Sequence, residues 1–228
     1  MADQPSVGIC TPSGSELVDS DYALSLAGMV ALTVGHNPRI IQQLAIRKRQ
    51  ITHRARNWLV RHMFKFADPA VTHLLWIDDD HKFPADTLIR LLAHDKDIVG
   101  CMHRTRMPPY HQVGHLADAG IDPVTAGGLH KAKTLGGGLL LVSRRVYETL
   151  EAPWYRETRD PELAGTDRID PDNVDGDISE DVYFCFEAAK AGFEIWCDLD
   201  LSYEVGHKNG SETIMFQNPP SLPPYPRR

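Results

Sequence analysis

The run Leu74-Leu75-Trp76-Ile77 passes without a break into Asp78-Asp79-Asp80, and few folds accommodate that join. A short unbroken apolar stretch is the pattern of a strand buried on both faces. Three adjacent carboxylates repel one another and resist burial. The join therefore reads as a core strand, from His73, that delivers its acids to the carboxyl end of an open α/β sheet, over the crevice where such sheets bind ligands. A divalent cation relieves the repulsion, and hard oxygen ligands select magnesium, manganese or calcium. Strand alternation sends Asp78 and Asp80 to one side and Asp79 to the other.

The flanking chain alternates strand and helix. Val7 to Cys10 is a strand closed by Thr11-Pro12-Ser13-Gly14. Tyr22 to Val34 is helical, with Ser20 or Asp21 as its cap and Asn37-Pro38 as its stop. Arg39 to Ile46 is a second strand. From Ile51, residues Ala55, Trp58, Leu59, Met63 and Phe66 recur at helical spacing. A helix opening at Phe83-Pro84-Ala85-Asp86 follows the acids, then a strand from Asp97 to Cys101. A long polar loop, with His103, Arg104, Arg106, Tyr110, His111 and His115, spans Met102 to Thr134. Gly136-Gly137-Gly138 leads into the strand Leu139 to Val142 and a helix from Arg144 to Leu150. The segment from Trp154 to Ile178 is acidic and loop-like. Asp181 to Ala191 is a helix stopped by Gly192, and Phe193 to Cys197 is a last core strand. Strands alternating with helices imply one α/β domain, an open, mixed but mostly parallel sheet flanked by helices over residues 1–217. Residues 218–228 hold five prolines and read as a flexible tail.

Composition narrows the classes. Net charge is −7, which argues mildly against a purely electrostatic nucleic-acid binder. Arg39 to Lys65 nevertheless carries eight basic residues and no acid, a patch suited to an anionic ligand or a solvated helix face. Cys10, Cys101, Cys185 and Cys197 are scattered and read as buried free thiols of a reducing cytoplasm. No apolar run approaches the ~20 residues of a membrane span.

With these motifs in order, the chain resembles the GT-A-fold nucleotide-sugar glycosyltransferases, a Rossmann-related fold, in particular the small inverting-type enzymes of bacteria and their phages. The likeness runs from about Val7 to His207. It rests on Asp78-Asp79-Asp80 followed by Phe83-Pro84, on Ala55-Arg56-Asn57, on Ser179-Glu180-Asp181 and on Gly206-His207. The resemblance implies transfer of a sugar, with inversion, from a nucleotide-sugar donor such as a UDP-sugar. The acceptor would be a saccharide or a hydroxymethylated DNA base, and the location the cytoplasm, a host's if phage-encoded. In the family the acidic motif holds manganese or magnesium, so Asp78 and Asp80 become metal ligands with His207, and Asp79 faces the nucleotide. Arg56 and Asn57 would meet the base or phosphates, Thr11 and Pro12 the base. Asp181 would be the general base, with Glu180 close behind. Gly137 and Gly138 would let a ligand approach the backbone, although no phosphate-loop pattern follows them. Arg104 would add charge at the phosphates, and Trp154 lies where acceptor residues are expected.

Taken alone, the residues read differently in places. Arg56 and Asn57 would be surface polar groups beside a core helix, and Ser179-Glu180-Asp181 a favourable helix start. Clustered acids also serve nucleotidyl transfer and metal-dependent phosphoester cleavage. A non-enzymatic metal-binding module is the third reading.

Overall fold

The computed structural model describes residues 4–66, 71–160 and 176–217. The elements in order are β1 (Val7–Pro12), α1 (Ser20–His36), β2 (Ile41–Arg47), α2 (Thr52–Phe66), β3 (His73–Ile77), β4 (His81–Lys82) and α3 (Thr87–Ala93). Then come β5 (Ile98–Gly100), β6 (His103–Arg104), β7 (Gln112–Val113), β8 (His115–Leu116), β9 (Leu129–Thr134), β10 (Leu139–Ser143) and α4 (Arg144–Thr149). The chain continues through β11 (Thr158–Arg159), β12 (Asp177–Ile178), α5 (Glu180–Lys190), β13 (Ile195–Asp198), α6 (Leu199–Ser202), β14 (Gly206–Asn209) and β15 (Glu212–Met215).

β3 shows why the apolar runs are unbroken. Leu74 and Trp76 enter one hydrophobic cluster, with Leu59 and Met63 of α2 and Phe184 of α5. Leu75 and Ile77 enter the other, with Tyr22 and Met29 of α1 and Leu88 and Leu91 of α3. β10 divides the same way, Leu140 and Val142 to the first cluster and Leu139 and Leu141 to the second. Both faces of the sheet are covered at these central strands, so β3 and β10 need apolar side chains at successive positions.

The main sheet has eight strands in the order β2-β1-β3-β10-β5-β13-β9-β8. The pairs β2–β1, β1–β3 and β5–β13 are parallel. β10 runs antiparallel to both β3 and β5, as β9 does to β13 and β8. The sheet is mixed as expected, but antiparallel pairs outnumber parallel ones, and the expectation of a mostly parallel sheet is corrected. A strand buried on both faces has the same apolar pattern in either direction, so β10's reversal leaves no mark on its residues.

Two further expectations change. Asp19, not Ser20 or Asp21, caps α1, accepting the Asp21 backbone N–H at 2.8 Å. The segment from Met102 to Thr134 contains four strands, and Leu129–Thr134 joins the main sheet. Its inner side chains Ala132 and Thr134 alternate with exposed Lys131 and Lys133, so it presents no apolar run. The other helix and strand expectations coincide with observed elements to within a few residues. All four cysteines are buried and free. Among the described residues, no helix is long and apolar enough to cross a membrane. The proline-rich tail and most of the acidic loop lie outside the described residues.

Candidate functional site

The site is built where β3 ends. Asp78 lies opposite the glycine run, its backbone N–H donating to the Gly138 carbonyl at 3.0 Å. The chain then turns, with the His81 N–H reaching back to the Asp78 carbonyl at 3.3 Å. The turn ends strand alternation, so Asp78 and Asp80 do not share partners as expected. Asp78 Oδ1 accepts from Arg56 Nη2 at 2.9 Å. Asp80 faces His81, His207 and Arg106 instead. Asp79 turns toward Ser13, and burial raises its carboxyl above the usual carboxylate range. All three acids line one cleft with Pro12, Ser13, Gly14, Gln50, Thr52, Arg106 and His207.

On the Asp78 side, Arg56 is only 1% exposed. Its Nε donates to Glu180 Oε1 at 3.2 Å and its Nη1 to the Gly137 carbonyl at 3.2 Å. The guanidinium lies near the rings of Trp76 and Tyr155. Burial opposes its charge, but Asp78 and Glu180 override that and hold the proton on. Burial also raises the Glu180 carboxyl, against the pull of Arg56. Arg56 is therefore a strut joining three elements, not a surface residue or a group turned to a phosphate. Asn57 is likewise internal: its Nδ2 donates to the carbonyls of His53 and Tyr155 at 2.7 and 2.6 Å.

Asp181 differs from its neighbour Glu180. Its Oδ2 accepts the Gly137 N–H at 3.1 Å, and its Oδ1 accepts the Val182 N–H at 2.8 Å and the Ser179 hydroxyl. It lines a second groove with Thr105, His111, His115, Gly136 and Ser179. Asp78 of the first cleft and Asp181 of this groove thus bond to adjacent glycines, Gly138 and Gly137.

On the Asp80 side, Oδ1 lies 3.2 Å from His81 Nδ1, and Oδ2 lies 3.1 Å from both His207 Nε2 and Arg106 Nη1. Burial disfavours the Asp80 charge, yet the two histidines prevail and hold the carboxyl well below the usual range. Burial opposes the His207 charge too, and Asp80 overrides it and raises that imidazole. His207 Nδ1 is committed to the Arg104 carbonyl at 2.8 Å. Its Nε2 thus faces a carboxylate across a gap that takes a proton or a metal cation, since two lone pairs cannot face each other unbridged. His103, buried beside His81 and His207, is held well below the ordinary imidazole value, by burial first. These residues fit a divalent cation at Asp80 and His207.

The glycines serve the protein's own side chains. A Cβ on Gly136 would fall 2.6 Å from His103 Cε1, on Gly137 2.5 Å from Arg56 Nη2, and on Gly138 2.5 Å from His81 Nε2. Room for the buried histidines and arginine requires all three to lack a side chain. Thr11 also points inward, bonded to the Tyr22 hydroxyl at 2.6 Å, whereas Pro12 lines the first cleft. Arg104 is turned from the cleft, with Nε donating to the Phe216 carbonyl at 3.0 Å. Arg106, two residues on, takes the place expected of it. Trp154 packs on the core and donates to the Tyr147 carbonyl at 2.9 Å. The basic stretch exposes Arg54, Arg61 and Lys65 on α2, with Arg47 stacked over Trp58 at 4.6 Å. His103 and Arg106 belong to the polar loop that the sequence marks out, whereas nothing in the sequence marks His81 as a site member. His81 sits between Asp80 and Lys82 with no periodic signal, and its partners come from β6 and β14.

No family model matches the chain, and no curated protein matches it. Among solved structures, A197 from STIV superposes with a TM-score of 0.59 at 13% identity, covering 93% of this chain and 94% of that one. The chain shares that overall fold. A glycosyltransferase involved in the glycosylation of the major capsid of PBCV-1 overlaps in part, with a TM-score of 0.33 at 17% identity, covering 66% of this chain and 69% of that one. An overlap of that extent carries no functional weight.

Proposed function

We propose that the protein transfers a sugar from a nucleotide-activated donor to a hydroxyl acceptor, with a divalent cation as cofactor. The observation that carries this is a pair of hollows tied to one glycine run, Asp78 through the Gly138 carbonyl and Asp181 through the Gly137 N–H. One presents Asp80, His207 and Arg106, and the other presents Asp181. A donor diphosphate and an acceptor hydroxyl would meet there.

Asp80 and His207 would hold the cation, with Asp78 alongside. When bound, it would offset charge building on the departing nucleoside diphosphate. Arg106, an exposed side chain bonded to Asp80, adds positive charge on the same side. Pro12, Ser13, Gly14, Gln50 and Thr52 wall the space for the nucleoside, for which uridine is the expectation. Asp181 takes the proton from the attacking hydroxyl, its carboxylate aimed by the N–H groups of Gly137 and Val182. Glu180, tied to Arg56, keeps the strut in place and is not the base. A single displacement of this kind inverts the anomeric centre. The acceptor would be a saccharide or a hydroxymethylated DNA base, the latter favoured by the exposed cations of α2.

The test is incubation with a panel of nucleotide sugars, with manganese or with excess chelator. Release of nucleoside diphosphate only in the presence of metal is the expected result. Release of pyrophosphate would instead indicate nucleotidyl transfer, and binding of metal without turnover a non-enzymatic module; either outcome contradicts the proposal.

A further inference from the structure

Beside Asp80 and His207, two buried ring nitrogens have no hydrogen-bond partner: His81 Nε2 and His103 Nδ1. His81 is wholly buried and His103 is 5% exposed. Leaving a buried polar atom unpaired costs about 1–3 kcal/mol. Two such atoms side by side call for an explanation.

The strands bring them together by design of the pairing. β4 and β14 are antiparallel, with His81 directly opposite His207, so both side chains leave one face. Their rings stack at 4.5 Å. His103, on β6, meets both edge-on, at 4.6 Å from His81 and 5.4 Å from His207. One ligating atom from each of the three lies within 4.8 Å of the others. Gly136 and Gly138 keep the space against His103 and His81 free of a Cβ.

The outer contacts choose the tautomers. His207 Nδ1 donates to the Arg104 carbonyl at 2.8 Å, and His81 Nδ1 donates to Asp80 Oδ1 at 3.2 Å. In both rings that leaves Nε2 as the lone-pair atom. A carbonyl or carboxylate behind each imidazole is how metal-ligating histidines are oriented.

We infer that His81, His103 and His207 form a three-histidine site for a transition-metal dication of the manganese, cobalt or zinc class, with the Asp80 carboxylate orienting His81 from behind. The inference rests on the reading that a cation sits at His207 beside Asp80, and adds two nitrogen ligands to it. Imidazoles suit these metals, whereas magnesium and calcium require oxygen ligands, so neither of the latter is the resident ion.

The full-length protein, stripped by chelator and loaded with cobalt or manganese without any nucleotide, tests it. X-ray absorption or pulsed paramagnetic resonance should count three imidazoles, and roughly a hundredfold excess of magnesium should not displace the ion. His103→Gln should lower the count by one and weaken binding at least about tenfold. Should that variant not fold, the wild-type count decides alone. Fewer than three imidazoles, or ready exchange for magnesium, overturns the inference while leaving a cation at Asp80 and His207 standing. No metal bound by the wild type overturns both.

Discussion

Asp78 and Asp80 stand two residues apart, yet they anchor regions of opposite character. Asp78 belongs to a closed unit in which Arg56 satisfies Asp78, Glu180 and the Gly137 carbonyl at once. Asp80 belongs to an open one, with Arg106 and His207 at the cleft and two unpaired nitrogens behind. The closed unit is built like a support, because both carboxylates in it share one buried guanidinium. The open unit is built like a receptor, because its groups gain most when something arrives. The glycine run separates them and gives each the clearance it needs.

The comparison can be broken first at Asp181, which touches the support but faces the second groove. Asp181→Asn should slow sugar transfer about 10²–10⁴-fold, the ordinary range for a lost general base. Its unfolding midpoint should stay near wild type, whereas Glu180→Gln should lower it. Steady-state kinetics beside thermal unfolding checks both, and a reversed pattern would exchange the two roles. Next is Arg56→Met, which strands two carboxylates. It should cost about 3–5 kcal/mol in denaturant unfolding. A cost near zero would mean that the unit is not a support. Gly137→Ala should cost about 1–3 kcal/mol, since its Cβ meets the guanidinium. Gly14→Ala, whose Cβ meets nothing within 4 Å, should be neutral in the same assay.

The smallest effect serves as a control far from both regions. His73 begins β3, at the opposite end from the acids, and burial holds its imidazole below the ordinary value despite Asp97 and Asp95. The unfolded chain therefore binds that proton more readily. Stability present above about pH 6.5 is lost as pH falls below it. His73→Gln should flatten that slope in unfolding curves taken across the window. An unchanged slope would place the pH dependence elsewhere.

How much of this the residues disclose follows from range. β1, β3, β5, β10 and β13 are readable because each is apolar on both faces. β9 is not, since its lysines face solvent and leave only alternate inner positions. The acidic strand end and Asp181 could be singled out from local pattern with the family likeness. Arg56 could not be placed, because a lone arginine in a basic stretch looks exposed until Asp78 and Glu180 arrive from other elements to neutralise it. The histidine cluster is hidden for the same reason. It exists only through the pairing of β4 with β14 and the approach of β6, contacts between segments far apart in the chain.

A crystal structure with manganese and an unreactive nucleotide-sugar analogue tests the central claim most directly. The account predicts anomalous density about 2.0–2.2 Å from an Asp80 oxygen and a His207 nitrogen, in contact with the diphosphate. A metal and diphosphate bound elsewhere, with the Asp80–His207 pair unchanged, would contradict it.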